Sequence, residues 1–191
     1  MNQSKFFQDE LDEISKVIAL TAISTEESFL KLVRLCSDSV NNGGKILFFG
    51  NGGSAADSQH LAAELVVRYQ VDRQPIPAIA LTTDTSVLSA AANDYGYEQV
   101  FARQIQALGQ PGDVAIGIST SGNSKNVING LRAAKQKDII AAGFSGGDGG
   151  QLIEVADPLI VVPSSITARI QEVHIILGHV LCSVLEEQVD S

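Results

Sequence analysis

Four hydroxyl side chains crowd the end of an apolar run in the middle of this 191-residue chain. Ser119, Thr120, Ser121 and Ser124 come just before a segment whose apolar residues have helical spacing. This pattern predicts a buried strand, a tight turn (the serine turn, residues 119–124) and a helix. A helix N-terminus offers free N–H groups and a positive dipole end, so we expect the turn to bind a phosphate. A simple serine cap is the alternative, but a cap requires only one hydroxyl.

A glycine-rich turn follows a second apolar run, at 45–50. Its sequence is Gly50-Asn-Gly-Gly-Ser54, and we call it the glycine turn. Parallel sheets bind ligands outside the carboxyl ends of their strands. The glycine turn and the serine turn should therefore open on the same edge and form one site. Ser54 is interpreted either as a helix cap or as a ligand donor.

Two pairs of polar side chains on predicted helices are candidates for acid–base chemistry or metal binding. His60 and Glu64 are four residues apart and share a helix face, where they form a metal site or a simple hydrogen-bonded pair. Arg68, four residues further on, is a candidate salt-bridge partner for Glu64. In the last helix, Gln171 and His179 are separated by about 80° of rotation and about 12 Å of rise. To reach one ion, the two side chains would have to lean toward each other. A simpler arrangement takes one of them from a neighbouring subunit.

Three further features carry weaker signals. Asn93 and Asp94 belong to a polar segment interpreted as a turn between two helical stretches, since both residue types favour turns for local reasons. His174 should face away from His179 and is interpreted as a packed histidine. The glycine-rich segment 143–150 is either a third wall of the same cleft or a flexible turn, and the turn is favoured.

The elements that must position these residues alternate along the chain. Strands followed by helices predict a parallel sheet with helices on both faces. Residues 3–42 are expected to form two helices, the second starting near Thr25-Glu-Glu-Ser28 because acids favour a first turn. The predicted strands are 45–50, 77–82, 112–118, 139–144 and 158–162, and the other predicted helices are 55–69, 86–92, 99–108, 125–135 and 167–188.

Composition limits the class of protein. Apolar residues make up 45% of the chain and charged residues only 18%, which suits one α/β domain with much surface buried in the fold or between subunits. A net charge of -9 argues against nucleic-acid and anionic-membrane partners. Cys36 and Cys182 are expected to be reduced and buried in a cytosolic protein. The N-terminus does not resemble a signal peptide, and membrane-spanning apolar runs are not expected.

These motifs together resemble the phosphoheptose isomerase branch of the sugar-isomerase (SIS) domain family, over essentially the whole chain. The resemblance implies a flavodoxin-like three-layer α/β sandwich with a five-stranded parallel sheet. It also implies a single domain over 1–191, with N-terminal helices at 1–43 used in oligomerisation and a core at 44–191. The assembly would be a homotetramer with active sites between subunits. The motifs are Gly50-Asn-Gly-Gly-Ser54, Gln59-His-Leu-Ala-Ala-Glu64, Asn93-Asp94, Ile118-Ser-Thr-Ser-Gly-Asn-Ser124, and Ala168-Arg-Ile-Gln-Glu-Val-His174 with His179.

The resemblance also implies a reaction. Members of the family convert sedoheptulose 7-phosphate to D-glycero-D-manno-heptose 7-phosphate through an enediol, at the start of the ADP-heptose synthesis that feeds lipopolysaccharide and other glycans. Glu64 would be the base and His179 the acid. One zinc ion per subunit would be held by His60, Glu64, Gln171 and His179. The implied substrate contacts are Asn51, Gly52, Gly53, Ser54, Glu64, Asn93, Asp94, Ser119, Thr120, Ser121, Ser124 and Gln171.

A non-catalytic function on the same fold is the main alternative. Replication-initiator-associating proteins are close relatives of the isomerases, share the Ala-Arg-Ile-Gln-Glu segment and lack the glutamate and the final histidine. The presence of both Glu64 and His179 favours an enzyme. A sugar-phosphate sensor joined to DNA-binding or CBS modules is a more distant alternative.

Overall fold

The short apolar runs of the sequence form one parallel sheet in the computed structural model, which describes residues 2–189. Positions 1, 190 and 191 of the predicted domain lie outside the described residues. All five predicted strands are present, although the second is shorter than expected and the fourth continues to Gly146. The strands are β1 Ile46–Gly50, β2 Ala78–Ala80, β3 Val114–Ile118, β4 Ile140–Gly146 and β5 Leu159–Val162.

Six α-helices are present in the described part of the chain, and two short 3-10 turns accompany them. The 3-10 turns, at Tyr97–Gln99 and Gly150–Glu154, have no counterpart in the sequence prediction. The helices are α1 Gln3–Asn41, α2 Gly53–Val66, α3 Thr85–Tyr95, α4 Val100–Leu108, α5 Lys125–Lys135 and α6 Thr167–Val189.

Helices cover both faces of the sheet. Helices α1, α2 and α6 share a buried cluster with strand residues such as Ile46 and Phe48, whereas α3, α4 and α5 pack against Leu47 and Phe49. All four of these strand residues are fully buried. Burial on both faces explains why the strand is a continuous apolar run rather than an alternating one. The fold is the expected flavodoxin-like three-layer sandwich.

The N-terminal region is a single helix of 39 residues, so the prediction of two helices is wrong. Thr25, expected near the second helix start, is buried, and its hydroxyl donates to the carbonyl of Thr21 at 2.8 Å inside the helix. Glu26 and Glu27 are exposed on its surface. Acids after a threonine resemble a first turn, but residues 3–41 contain neither glycine nor proline to end the helix.

Helix α6 is a core helix of the domain. By length and composition alone its segment Thr167–Gln188, with mean hydropathy 1.3, could cross a membrane, so the expectation that apolar runs stay below that length fails by this measure. The helix instead packs against α1, α2 and the sheet. His174 and Glu186 are buried within it and hydrogen-bonded to β4 and to the segment after α2. Cys182 is also buried and, like Cys36, is a free thiol, as predicted.

The strand order β2-β1-β3-β4-β5 places a topological switch point between β1 and β3. Chain connections leave these two neighbouring strands in opposite directions, which opens a crevice at their carboxyl ends. The register pairs Gly50 with Ile118, so β1 and β3 end side by side. The glycine turn and the serine turn therefore flank the crevice, and the prediction that they open on one edge is confirmed.

Candidate functional site

The glycine turn approaches the serine turn closely. A Cβ atom at Gly50 would lie 2.7 Å from the carbonyl oxygen of Ile118, so only glycine fits there. Asn51 and Asn126 exchange two side-chain hydrogen bonds of 2.9 and 2.7 Å. The Tyr97 hydroxyl also donates to Asn51, at 3.1 Å. These bonds connect the glycine turn to the first turn of α5, and the sequence did not predict the roles of Asn126 and Tyr97.

The serine turn leads into α5 without an ordinary cap. Ser124 occupies the N-cap position, but its side chain makes no capping hydrogen bond. Its hydroxyl instead accepts from Ser119, at 3.0 Å, and the Ser121 hydroxyl accepts from the backbone N–H of Asn123 at 3.2 Å. The simple serine-cap interpretation therefore fails. Helix α2 likewise begins at Gly52 without a side-chain cap, so two helix N-termini point their positive dipole ends at this edge.

A pocket of about 220 Å³ adjoins the serine turn. Its walls are mostly hydroxyl groups and glycine backbone, and Asp148 is its one charged residue. The glycine-rich segment 143–150 begins within β4 and forms the predicted turn at residues 147–148, and Gly146 to Asp148 also line this pocket, as the third-wall alternative expects. The hydroxyl run before α6 was missed, although it follows a strand just as the serine turn does. The lining residues are Thr120, Ser121, Gly146, Gly147, Asp148, Ser164, Ser165, Thr167 and Ile170.

His60, Glu64 and His179 come together within one chain. The Nε2 atoms of His60 and His179 are 2.8 Å apart, and His60 Nε2 lies 3.4 Å from Glu64 Oε1. His179 also stacks on the ring of Tyr69, with centroids 5.4 Å apart. Because the two histidines already meet, His179 does not have to come from a neighbouring subunit. Arg68 is exposed and, within the described residues, forms no ion pair with Glu64.

Helices α2 and α6 lie side by side, which resolves the two-turn separation of Gln171 and His179. A Cβ atom at Gly53 would collide with the Gln171 side chain, so Gln171 lies against the glycine turn. His179 meets His60 seven residues further along α2. Gly178 contacts Leu61 at the intervening crossing. The two α6 side chains thus reach different ends of one site, and neither has to lean toward the other.

Asn93 and Asp94 lie in the last turn of α3, not in a loop as predicted. The Asn93 amide donates to the Asp94 carboxylate at 2.8 Å, and both side chains are exposed. Asp94 lines an apolar groove between α3 and α4. Tyr97, through its bond to Asn51, is the residue of this segment that contacts the glycine turn. Substrate contacts by Asn93 and Asp94 stay a prediction.

Two buried titratable groups, Asp57 on α2 and His174 on α6, belong to the helices that carry the histidine pair. Burial raises the pKa of Asp57 to about 6, opposed by the charge of His60. Asp57 Oδ2 has no hydrogen-bond partner within the described residues, and sequence reasoning missed this acid. Burial lowers the pKa of His174 to about 4, and its Nε2 lies 3.0 Å from the Ser145 carbonyl oxygen. His174 is therefore the packed histidine that was predicted.

The four predicted metal ligands have suitable chemistry, because zinc accepts imidazole nitrogen and carboxylate or amide oxygen. In the structure His60 contacts both Glu64 and His179 directly, whereas Gln171 lies against Gly53. Two nitrogen ligands on tetrahedral zinc would be about 3.3 Å apart, whereas the Nε2 atoms of His60 and His179 are 2.8 Å apart. Within residues 2–189, no group of three or more His, Cys, Asp or Glu side chains has a geometry that could hold a metal ion. A modest separation of the two imidazoles would make room for an ion.

The fold and the site define a class of protein: a doubly wound α/β domain that presents hydroxyl-rich turns at its switch point and a His–Glu–His group between α2 and α6. A family model described as "SIS domain" matches residues 9–146. Phosphoheptose isomerase from Paramagnetospirillum magneticum is 56% identical over 97% of both chains. Solved phosphoheptose isomerases from Francisella tularensis (TM-score 0.93, 32% identity, 98% and 100% coverage) and Neisseria gonorrhoeae (0.89, 40%, 97% and 100%) superpose over nearly their whole length. The chain belongs to the phosphoheptose isomerase family of SIS domain proteins.

Proposed function

We propose that this chain interconverts sedoheptulose 7-phosphate and D-glycero-D-manno-heptose 7-phosphate, and so begins ADP-heptose synthesis. The chain is an isomerase, like the phosphoheptose isomerases with which it shares about half of its sequence. The observation that supports the assignment of the site is the meeting of Glu64, His60 and His179 between α2 and α6, in a fold where α2 and α5 both begin without a side-chain cap. Such a site has one end for a phosphate and another for proton transfer.

The phosphate end relies on local dipoles. The chain carries a net charge of -9, so its overall field repels an anion. Backbone N–H groups at the start of α2 and α5, with the hydroxyls of Ser119, Ser121 and Ser124, offset that repulsion at short range. Phosphate binding there would hold the sugar in place and present its C1–C2 end to the two helices.

The reacting end requires a base and an acid. Moving a proton between C1 and C2 through an enediol needs a carboxylate to remove the carbon-bound proton, and Glu64 is that carboxylate. An imidazole can then donate a proton to the oxygen, and we assign this role to His179, whose contacts with His60 and Tyr69 support the assignment. Gln171, against the glycine turn, would orient the substrate between the two ends.

Zinc is the metal that this donor set suits best. His60, Glu64, Gln171 and His179 would hold it, and when bound it would polarise the substrate carbonyl. A metal that engages both Glu64 and His179 would compete with their proton-transfer roles. We therefore expect a weakly held ion that exchanges ligands, or one with a partly structural role.

The assembly we propose is a homotetramer. Helix α1 exposes large apolar side chains, among them Phe7 at 58% and Ile23 at 81%. A second apolar surface lies around His179, where Ile176 and Val180 are 37% and 43% exposed. Both surfaces suit burial between subunits. Two buried free cysteines suit a cytoplasmic protein.

The test is an assay of sedoheptulose 7-phosphate turnover, with zinc content measured on the same sample. We expect activity in the native protein, and loss of it with a folded oligomer in Glu64→Gln and in His179→Gln. A non-catalytic binding protein, the alternative, would show no turnover in any form. Wild-type activity in both variants would remove the two residues from the mechanism.

A further inference from the structure

A buried ion pair joins the two helices that carry the reacting groups. Arg73 belongs to the segment between α2 and β2, and Glu186 lies on α6, seven residues after His179. Arg73 Nε is 3.3 Å from Glu186 Oε1, and the side chains are 0% and 4% exposed. Neither residue takes part in the chemistry proposed above.

Arg73 caps the end of helix α2. Its Nη2 donates to the carbonyl oxygen of Glu64 at 2.9 Å, and its Nη1 donates to that of Leu65 at 2.7 Å. The last carbonyls of a helix lack partners within the helix, and a cation there also matches the dipole. The guanidinium therefore fixes the backbone of the residue that we identify as the base.

Glu186 anchors the segment that follows α2. Its carboxylate accepts the backbone N–H groups of Tyr69, Gln70 and Val71 at 2.9, 2.7 and 3.2 Å. Burial alone would raise the pKa of Glu186, but these N–H groups and Arg73 outweigh it and hold the pKa below its usual value. Tyr69, whose backbone is held in this way, stacks its ring on His179 with the planes 23° apart.

We propose that Arg73 and Glu186 are positioning residues that set the placement of Glu64 relative to His179. One end of the pair holds the Glu64 backbone, and the other holds the aromatic support of the His179 imidazole. The inference rests on the proposed isomerase function. It predicts that the pair affects the rate of proton transfer more than substrate binding, because the phosphate is held at the turns that begin α2 and α5.

Two variants test this role. Glu186→Gln removes the charge and keeps the shape. The double variant Arg73→Met with Glu186→Leu removes both charges, which avoids the uncompensated buried charge that would unfold a single apolar variant. We expect kcat to fall about 10- to 100-fold in each variant, because small misplacements of reacting groups slow catalysis by such factors. KM for sedoheptulose 7-phosphate should stay within roughly threefold of wild type.

A second buried ion pair provides a matched control. Lys45 Nζ is 2.7 Å from Asp113 Oδ2, the side chains are 20% and 2% exposed, and Asp113 also accepts backbone N–H groups. These residues precede β1 and β3, and the polar contacts of Asp113 are with Lys45 and Gln110 rather than with α2 or α6. Asp113→Asn should lower Tm while kcat stays within about twofold, because orientation of the reacting groups is untouched.

The proposal is overturned if both Glu186→Gln and the double variant keep the wild-type kcat. It is also overturned if Asp113→Asn lowers kcat as much as these variants do when the loss of Tm is the same. A second readout does not depend on turnover. Long-range ¹H–¹⁵N NMR signals of the His60 and His179 imidazoles should shift in Glu186→Gln and not in Asp113→Asn, and unshifted signals would overturn the proposal. An inactive native protein with these shifts would reject the proposed function and retain the positioning role.

Discussion

At the scale of single residues, burial of Asp57 makes ionisation of its carboxyl group unfavourable. It is 8% exposed, and one of its oxygens has no hydrogen-bond partner in the described part of the chain. Its pKa of about 6 in the folded protein exceeds the value near 4 of an unfolded chain. Between these values the folded state binds more protons than the unfolded state, so stability falls as pH rises from about 4 to about 6. Above that range the full penalty persists.

Asp57→Asn should therefore raise Tm at pH 7.5, because an amide of the same shape avoids burying a charge. The gain should shrink as pH falls through about 6 and vanish near pH 4, where the wild-type carboxyl is protonated. Thermal unfolding of both metal-free proteins over this pH range measures the effect. A lower Tm for the variant at pH 7.5 would show that the charge of Asp57 is stabilised by a partner, such as a protonated His60.

The serine turn offers a second prediction at this scale. Ser121→Ala with Ser124→Ala removes two hydroxyls, and each hydrogen bond to a charged group contributes about 1.5–3 kcal/mol. We expect KM for the 7-phosphate to rise more than about tenfold, with a smaller change in kcat. Ser89→Ala, which removes a hydroxyl bonded only within exposed α3, is the control. A loss confined to kcat would contradict simple phosphate binding by the turn.

At the scale of elements, the sequence pattern predicts those strands and helices that depend on local interactions and burial. Strands β1 and β3 were predicted closely, because burial on both faces leaves a continuous apolar run. The continuity of helix α1 was missed, because the Thr25 hydroxyl bonds to a carbonyl inside the helix. From sequence alone, such a threonine cannot be distinguished from one that caps a helix. The alignment of α2 with α6 was also missed. It depends on packing between distant segments, visible only where Gly53 meets Gln171 and Gly178 meets Leu61.

Gly53→Ala tests that alignment. Alanine favours a helix over glycine by about 1 kcal/mol, so stability should hold or improve. The new Cβ atom would nevertheless displace the side chain of Gln171. Activity should therefore fall while Tm does not. In a double-mutant cycle, Gly53→Ala should cost nothing further once Gln171→Ala is present. Additive losses would mean that the glycine acts on the substrate directly.

At the scale of the whole molecule, the histidine group forms within one chain and has an open groove beside it. His60, Glu64, Gln171 and His179 come from two helices of the same subunit. The groove beside His179, lined by Tyr69, Ile176 and Val180 among others, is open to solvent in the single chain. Charge and hydroxyl patterns in the sequence predicted these candidate residues but could not reveal which side of the histidine group the fold leaves open.

Dissociating the assembly separates these two contributions. Phe7→Glu with Ile23→Glu replaces exposed apolar side chains of α1 with charges, so we expect the proposed assembly of four 20.2 kDa chains to give smaller species by analytical ultracentrifugation. Turnover should fall with dissociation, because an open groove lets water compete at His179 and weakens electrostatic interactions there. Gln8→Glu adds a charge to the same turn of α1 at an exposed polar position and should leave both mass and activity unchanged. A fully active dissociated protein would mean that one chain suffices for catalysis and that the apolar surfaces serve assembly alone.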